Sequence, residues 1–167
     1  TADQPPPDAA MGSAACDAAS GDALTEGHVG AGTGATVGKM RGPAHASPGG
    51  TGTFAVRHGE YTIGAVAIVN AFGDVLGADG AILAGARADD GTWLDSMRAS
   101  LGEAARGVSL ITNTTLCAIA TDAPLSRVAL QAVARMGSSA VVRRIAPANT
   151  LFDGDVVFAL STWGHRD

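Results

Sequence analysis

Two short segments of this sequence carry side chains of the types and spacing that chemistry needs, Asn113-Thr114-Thr115 and Asp153-Gly154-Asp155. In the second, carboxylates stand at i and i+2, so strand geometry extending back through Asp153 would turn both to one side. Two acids that close cannot both ionise cheaply, and such a pair tends to share or hold a proton. The plainer reading is a turn closing onto the last strand. A hard cation is the third reading, and it lacks further oxygen ligands nearby in sequence. Asn113-Thr114-Thr115 fits an N-glycosylation sequon, but no secretory signal accompanies it. Taken alone, the tripeptide reads best as a turn Asn followed by two strand residues.

The Gly-rich stretch GHVGAGTGATVGKMRG invites a phosphate loop, since such turns expose backbone N–H groups to anions. A nucleotide-binding loop of the Walker type would need Gly where Thr33 stands and Ser or Thr where Met40 stands. The dinucleotide fingerprint fits only with Ala35 in its last position, and no apolar strand precedes it. The alternative is a tight loop that brings one cation close to something, and Lys39 is the only lysine in the chain. His28, His45, His58 and His165 lack the spacing of a zinc site and read as loop or surface residues. Arg143-Arg144 reads as compensation of a helix C-terminus.

A length of 167 residues with 46% apolar content suits a single domain with one sizeable core. A net charge of −5 without a basic run argues against nucleic acid, and no apolar stretch reaches the roughly 18 to 20 residues of a membrane span. Cys16 and Cys117, far apart and without metal spacing, read as two buried thiols in a reducing compartment, with the cytoplasm as the default. The chain opens at Thr1, without an initiator Met, which reads as an excerpt of something longer.

Asp8 to Ser20 reads as an Ala-rich helix with a small-residue face, ended by Gly21. Gly52 to His58 and Tyr61 to Asn70 read as a hairpin around His58-Gly59-Glu60. From Ala71 to Thr112 periodicity fades into a linker or excursion, apart from a short helix between Trp93 and Arg106. Leu116 to Ala120 reads as a strand buried on both faces. Leu125, Val128, Ala129, Ala132, Val133 and Met136 repeat as one helical face, with Arg127 and Gln131 outside. Val156 to Leu160 closes the chain as a strand, and the order implies helices layered on sheet.

Four segments in order, GAGTGATVGKMRG, GGTGTFAVRHGEYTIGAVAIVNAFGDV, NTTLCAIATDAPLSR and NTLFDGDVVFALST, resemble the L-aminopeptidase/D-esterase (DmpA-type) peptidase family. That family includes β-aminopeptidases and nylon-oligomer hydrolases and is related to ornithine acetyltransferases; the likeness runs from about Ala10 to Thr162. It implies a layered α/β fold, an αββα-type sandwich of which this chain is part. It also implies self-cleavage between Asn113 and Thr114, into 1–113 and 114–167, with Thr114 becoming the N-terminal nucleophile. By the same resemblance Lys39, Asn70, Asp153 and Asp155 complete the site: the two acids orient Thr114 and handle its proton, Lys39 gives electrostatic support, and Asn70 serves the oxyanion or substrate positioning. No cofactor and no metal are implied, and the partners are a small amide or peptide substrate and further copies of the processed subunits.

The Asn-Thr-Thr form resembles the nylon-oligomer hydrolase branch. Pro48, before Gly49-Gly50, stands where relatives often carry Lys. The physical case is that a freed α-amine, with a reference pKa of about 7.7 to 8.0, is an available base near neutral pH on the very residue that bears the nucleophilic Oγ. Thr is also stiff about χ1, which holds that oxygen in few orientations. Two rivals stand beside the amide hydrolase: an acyltransferase, in which an acyl-Thr passes to an amine instead of water, and a nucleotide-binding module built on the Gly-rich loop.

Overall fold

The computed structural model describes residues 6–101 and 113–163. Its centre is a four-stranded sheet of order β3-β4-β7-β9, made of β3 (Gly50–His58), β4 (Tyr61–Asn70), β7 (Thr114–Thr121) and β9 (Val156–Ser161). β3, β4 and β7 are antiparallel neighbours, whereas β7 and β9 run parallel. A parallel pair needs a crossover, and helix α3 (Arg127–Val142) supplies it, capped by the Ser126 hydroxyl accepting from the Ala129 N–H. The expected hairpin is present, with His58 opposite Tyr61.

α3 lies on one face of β7 and β9, and its inward face is turned from the expected stripe. Val128 and Met136 are 73% and 71% exposed, while Gly137 is buried. A Cβ at Gly137 would come within 2.6 Å of Ile119 and 2.8 Å of Val157, so the helix approaches the sheet along the line where it has no side chain. Ala129, Ala132 and Val133 are half-buried as expected. Because alternate residues face opposite sides, the other face carries Leu116, Val156, Phe158 and Leu160, which are 36–59% exposed. β7 is therefore covered on one face only among the described residues, not on both.

The described part of the stretch expected to be an excursion, residues 71–101, contributes Ala71, Phe72 and Ala86 to the buried core. β5 (Asp74–Leu76) pairs with β6 (Ile82–Ala84) and with β8 (Ile145–Ala146) in a second, three-stranded sheet, and α2 is the single turn Ser96–Ala99. Ser100 and Leu101 follow as a turn, and residues 102–106 of the expected helix lie outside the described residues, as does His165. Two clusters form the core: Val37, Ala71 and Ile145, and then Met40, Phe72 and Ala86, beside which the Phe72 and Phe152 rings stand 5.3 Å apart. Val37 belongs to β1 (Thr36–Val37), which pairs with β2 (Ser47–Pro48) and carries the Gly-rich loop into this core. Helix α1 (Ala9–Asp17), capped by Asp8, has no buried residue, so its small-residue face packs on nothing described. Cys16 lies exposed on it and Cys117 is half-buried; both thiols are free, and the expectation of two buried thiols fails at Cys16.

Candidate active site

One end of the four-stranded sheet gathers the chemistry. β4 ends at Asn70 directly opposite Thr114, the first residue of β7, and Asn113 forms a parallel bridge with Asp153 just before β9. The Gly-rich loop reaches the same place because Gly38 N–H donates to the Gly73 carbonyl and Lys39 N–H to the Phe72 carbonyl, both at 2.9 Å. Gly38 has φ +70°, and a Cβ there would lie 1.9 Å from the Ala86 nitrogen, so only glycine lets the loop lie this close. Those two N–H groups, which a phosphate loop would offer to an anion, are spent on the chain itself.

The Thr114 hydroxyl donates to the Asn113 carbonyl at 2.5 Å. The same carbonyl accepts the Gly154 N–H at 2.9 Å. The Asn113 side chain is buried and turned away, its Nδ2 donating to the Phe152 carbonyl at 3.1 Å. Thr115 is 1% exposed, and its hydroxyl has no hydrogen-bond partner among the described residues. Of the two threonines, only Thr114 is partly open to a reactant.

The two carboxylates grip the backbone on either side of this carbonyl. Asp155 accepts from the Thr115 N–H at 2.6 Å and the Asn149 N–H at 3.0 Å. Asp153 accepts from the Phe72 N–H at 3.2 Å, and from the Thr150 N–H and hydroxyl at 3.1 and 2.6 Å. Both lie near the end of the sheet that holds Thr114, each with its own backbone partners. They bond to separate backbone groups, and the segment is neither a bare turn nor a continuation of β9, which begins at Val156.

Lys39 Nζ donates to the Asn70 side-chain oxygen at 2.6 Å and to its backbone carbonyl at 3.0 Å, while the Thr36 N–H donates to that same side-chain oxygen at 3.1 Å. Partial burial pushes the Lys39 pKa down to about 8, opposed by the charge of Asp153. An ammonium that sheds its proton this easily sits between the states of a fixed cation and an available base.

The structure thus brings Lys39, Asn70, Asn113, Thr114, Asp153 and Asp155 to one sheet end. Sequence reasoning missed Gly154, whose N–H meets the Asn113 carbonyl, and Asp74, which is 1% exposed at the base of the loop that backs Gly38. The signal for Gly154 was its place between two acids that both hold backbone; Asp74 gave none beyond its position in the apolar run NAFGDV. His45 lies beside Arg87 and Asp89, away from the gathered residues, with Nδ1 3.1 Å from the Arg87 carbonyl. Among the described residues, no group of three or more His, Cys, Asp or Glu is placed to hold a metal.

Comparison with known proteins gives a consistent result. The model of peptidase family S58 matches residues 6–167. An uncharacterised aminopeptidase of Mycobacterium leprae is 35% identical, the alignment covering 93% of this chain and 44% of the relative. A 6-aminohexanoate-oligomer endohydrolase of a Kocuria species is 32% identical, with 93% and 45% covered. The chain spans less than half the length of these relatives. Among solved structures, the L-aminopeptidase D-Ala-esterase/amidase of Ochrobactrum anthropi, described as a variant of the Ntn hydrolase fold, superposes with a TM-score of 0.59 at 25% identity, covering 95% of this chain and 39% of that one. A Pyrococcus horikoshii protein superposes at 0.52 with 23% identity over 84% and 33% of the two chains, a likeness of fold alone.

Proposed function

The chain belongs to peptidase family S58, and from that premise we propose that it is the catalytic part of a self-processing N-terminal-nucleophile amide hydrolase that cuts between Asn113 and Thr114. The observation that carries this reading is the Thr114 hydroxyl placed 2.5 Å from the oxygen of the carbonyl it must attack. In the first stage Oγ adds to the Asn113 carbonyl carbon, the bond to the Thr114 nitrogen breaks, and the hydroxyl proton leaves with the new amine. Water then hydrolyses the Asn113 ester and restores the hydroxyl. In the second stage the freed amine, with a reference pKa of about 7.7 to 8.0, takes the proton as the same Oγ acylates on a substrate amide. Asp155 fixes the Thr115 N–H and Asp153 ties the Thr150 turn to Phe72, so the acids hold the surroundings of Thr114 in place; Lys39 supplies positive charge and Asn70 anchors it.

The substrate class is a small or linear amide. Aminopeptidases and 6-aminohexanoate-oligomer endohydrolases among the relatives support N-terminal peptide bonds and nylon-type oligomers as the two candidates. Assembly of processed subunits into a homo-oligomer and a cytoplasmic location complete the proposal; two free cysteines suit a reducing compartment, and no described helix is long and apolar enough to cross a membrane. Intact mass spectrometry of the whole protein is expected to show a subunit beginning at Thr114. The processed enzyme is then expected to turn over at least one of aminohexanoate oligomers, β-alanyl anilides and L-aminoacyl anilides. An uncut protein that hydrolyses amides would overturn the mechanism. Transfer of an acetyl group from acetylornithine to glutamate, with no hydrolysis, would favour the acyltransferase instead.

The pH dependence separates the two stages. Lys39 carries its proton below about 8 and loses it above, so a process that needs the cation declines as pH rises through that value. Self-cleavage, which involves no free amine, is expected to show only this falling limb. Turnover adds a rising limb from the Thr114 amine and becomes bell-shaped. Lys39→Arg is expected to remove the falling limb from both profiles; a limb that persists unchanged would clear Lys39 of the role.

A further inference from the structure

We propose that the backbone N–H of Gly154 is the oxyanion donor of this site, first for self-cleavage and then for substrate turnover, an inference that rests on Thr114 being the nucleophile. The N–H lies 2.9 Å from the carbonyl oxygen of the Asn113–Thr114 bond, the atom that gains negative charge when Oγ adds to its carbon. A donor already aimed at that oxygen costs no reorganisation as the charge develops, which makes such groups a large term in acyl transfer.

As a hydrogen bond, this one closes the parallel bridge between Asn113 and Asp153, and an ordinary ladder bond has the same form. Three features set it apart. Its acceptor also receives the Thr114 hydroxyl, so donor, nucleophile and electrophile meet at one carbonyl. Residue 154 has no side chain where one would intrude: a Cβ would stand 3.1 Å from Thr114 Oγ1 and 3.8 Å from the Asn113 oxygen. The residues on either side are each pinned through their carboxylates, Asp153 to Phe72 and Thr150 and Asp155 to Thr115 and Asn149, so the peptide between them is held from both ends.

The Asn113 side-chain amide is committed elsewhere. Asn113 Nδ2 donates to the Phe152 carbonyl, and the Asn70 side-chain oxygen is taken by Lys39 and Thr36. Gly154 is itself exposed. Once residue 113 has left, the carbonyl of an incoming amide bonded to Oγ of Thr114 comes under the same N–H. Asn70 places Lys39 through its side-chain oxygen, and the Gly154 N–H serves the oxyanion.

The clean test replaces Gly154 in the whole protein by glycolic acid, which puts an ester oxygen in place of the N–H and adds no atoms. Formation of the subunit beginning at Thr114 is followed over time. The ester variant is expected to cut about 10² to 10³ times more slowly than the parent. Gly154→Ala, which keeps the N–H but crowds Oγ, is expected to be slowed less. Cleavage of the ester variant within threefold of the parent rate would overturn the proposal. A parent protein that never cuts at this bond would instead overturn the nucleophile assignment on which it rests. A second measurement needs no variant at residue 154: a peptide boronate added to processed enzyme is expected to move the Gly154 amide proton resonance downfield, and not in Thr114→Ala. A boronate that binds at Thr114 and leaves that resonance in place would also overturn it.

Discussion

Thr114→Val is expected to give a folded, uncut and inactive protein, with both self-cleavage and turnover reduced on the order of 10⁴-fold or more. Valine keeps the shape and β-branching of threonine and removes only the oxygen that touches the Asn113 carbonyl. Thr115→Val is the matched control. The Thr115 hydroxyl is buried without a hydrogen-bond partner among the described residues, so exchanging it for a methyl removes a desolvated polar group and is expected to be neutral or stabilising. Processing of Thr115→Val is expected at close to the parent rate. Mass spectrometry of the two variants reads the result, and equal impairment in both would mean that the nucleophile is misassigned.

Asp74→Ala is expected to have the largest effect on stability. The Asp74 carboxylate accepts from the Ala86 N–H at 2.8 Å, the Ser96 N–H at 2.6 Å and the Ser96 hydroxyl at 2.7 Å, and its residue is 1% exposed. Removing it strands three buried donors, each of which costs roughly 1–3 kcal/mol when unpaired, so a loss of about 3–5 kcal/mol is expected. That is a large part of the 5–15 kcal/mol typical of a domain, roughly stated. The damage reaches the active end of the sheet, because Gly38 rests directly against Ala86 and carries Lys39 toward Asn70. Urea denaturation of Thr114→Ala and of Thr114→Ala/Asp74→Ala, both uncut, reads the loss without interference from cleavage. A loss below about 1 kcal/mol would show that water takes over the stranded donors.

What the sequence disclosed follows from the length over which each signal acts. Asn113-Thr114-Thr115 and Asp153-Gly154-Asp155 stood out because each gathers its polar groups within three residues, although each taken alone reads as turn and strand residues, and the resemblance to a family made them a site. Lys39 and Asn70 are separated by 31 positions, so residue types and spacing could not join them; only the resemblance to a family did. β3, β4, β7, β9 and α3 are long enough to carry a period, whereas the strands of the second sheet are two or three residues long and carry none. Their region was read as a linker for that reason, although Phe72 and Ala86 pack there. The face of α3 was misjudged because periodicity counts apolar side chains, and the helix meets the sheet at Gly137, where a side chain is absent. Gly154 was overlooked for a related cause: its contribution is a backbone N–H, and only Pro lacks one.

The position of Thr114 inside the sheet also decides what kind of object the molecule would become under the proposed cut before it. β7, which would begin the second piece, pairs along its whole length with β4 of the first, from Asn70–Thr114 to Ile63–Thr121. The pieces would therefore separate only by losing a central ladder, so the cut would be structurally silent while the fold stands. Thermodynamically it is not silent. An intact chain refolds at a rate independent of its concentration, whereas two severed pieces must first find each other, and their recovery weakens with dilution. Processing at this bond would turn a reversible folding equilibrium into a one-way record that folding was once complete, and the processed protein would last as long as its barrier to unfolding rather than as long as its equilibrium stability allows.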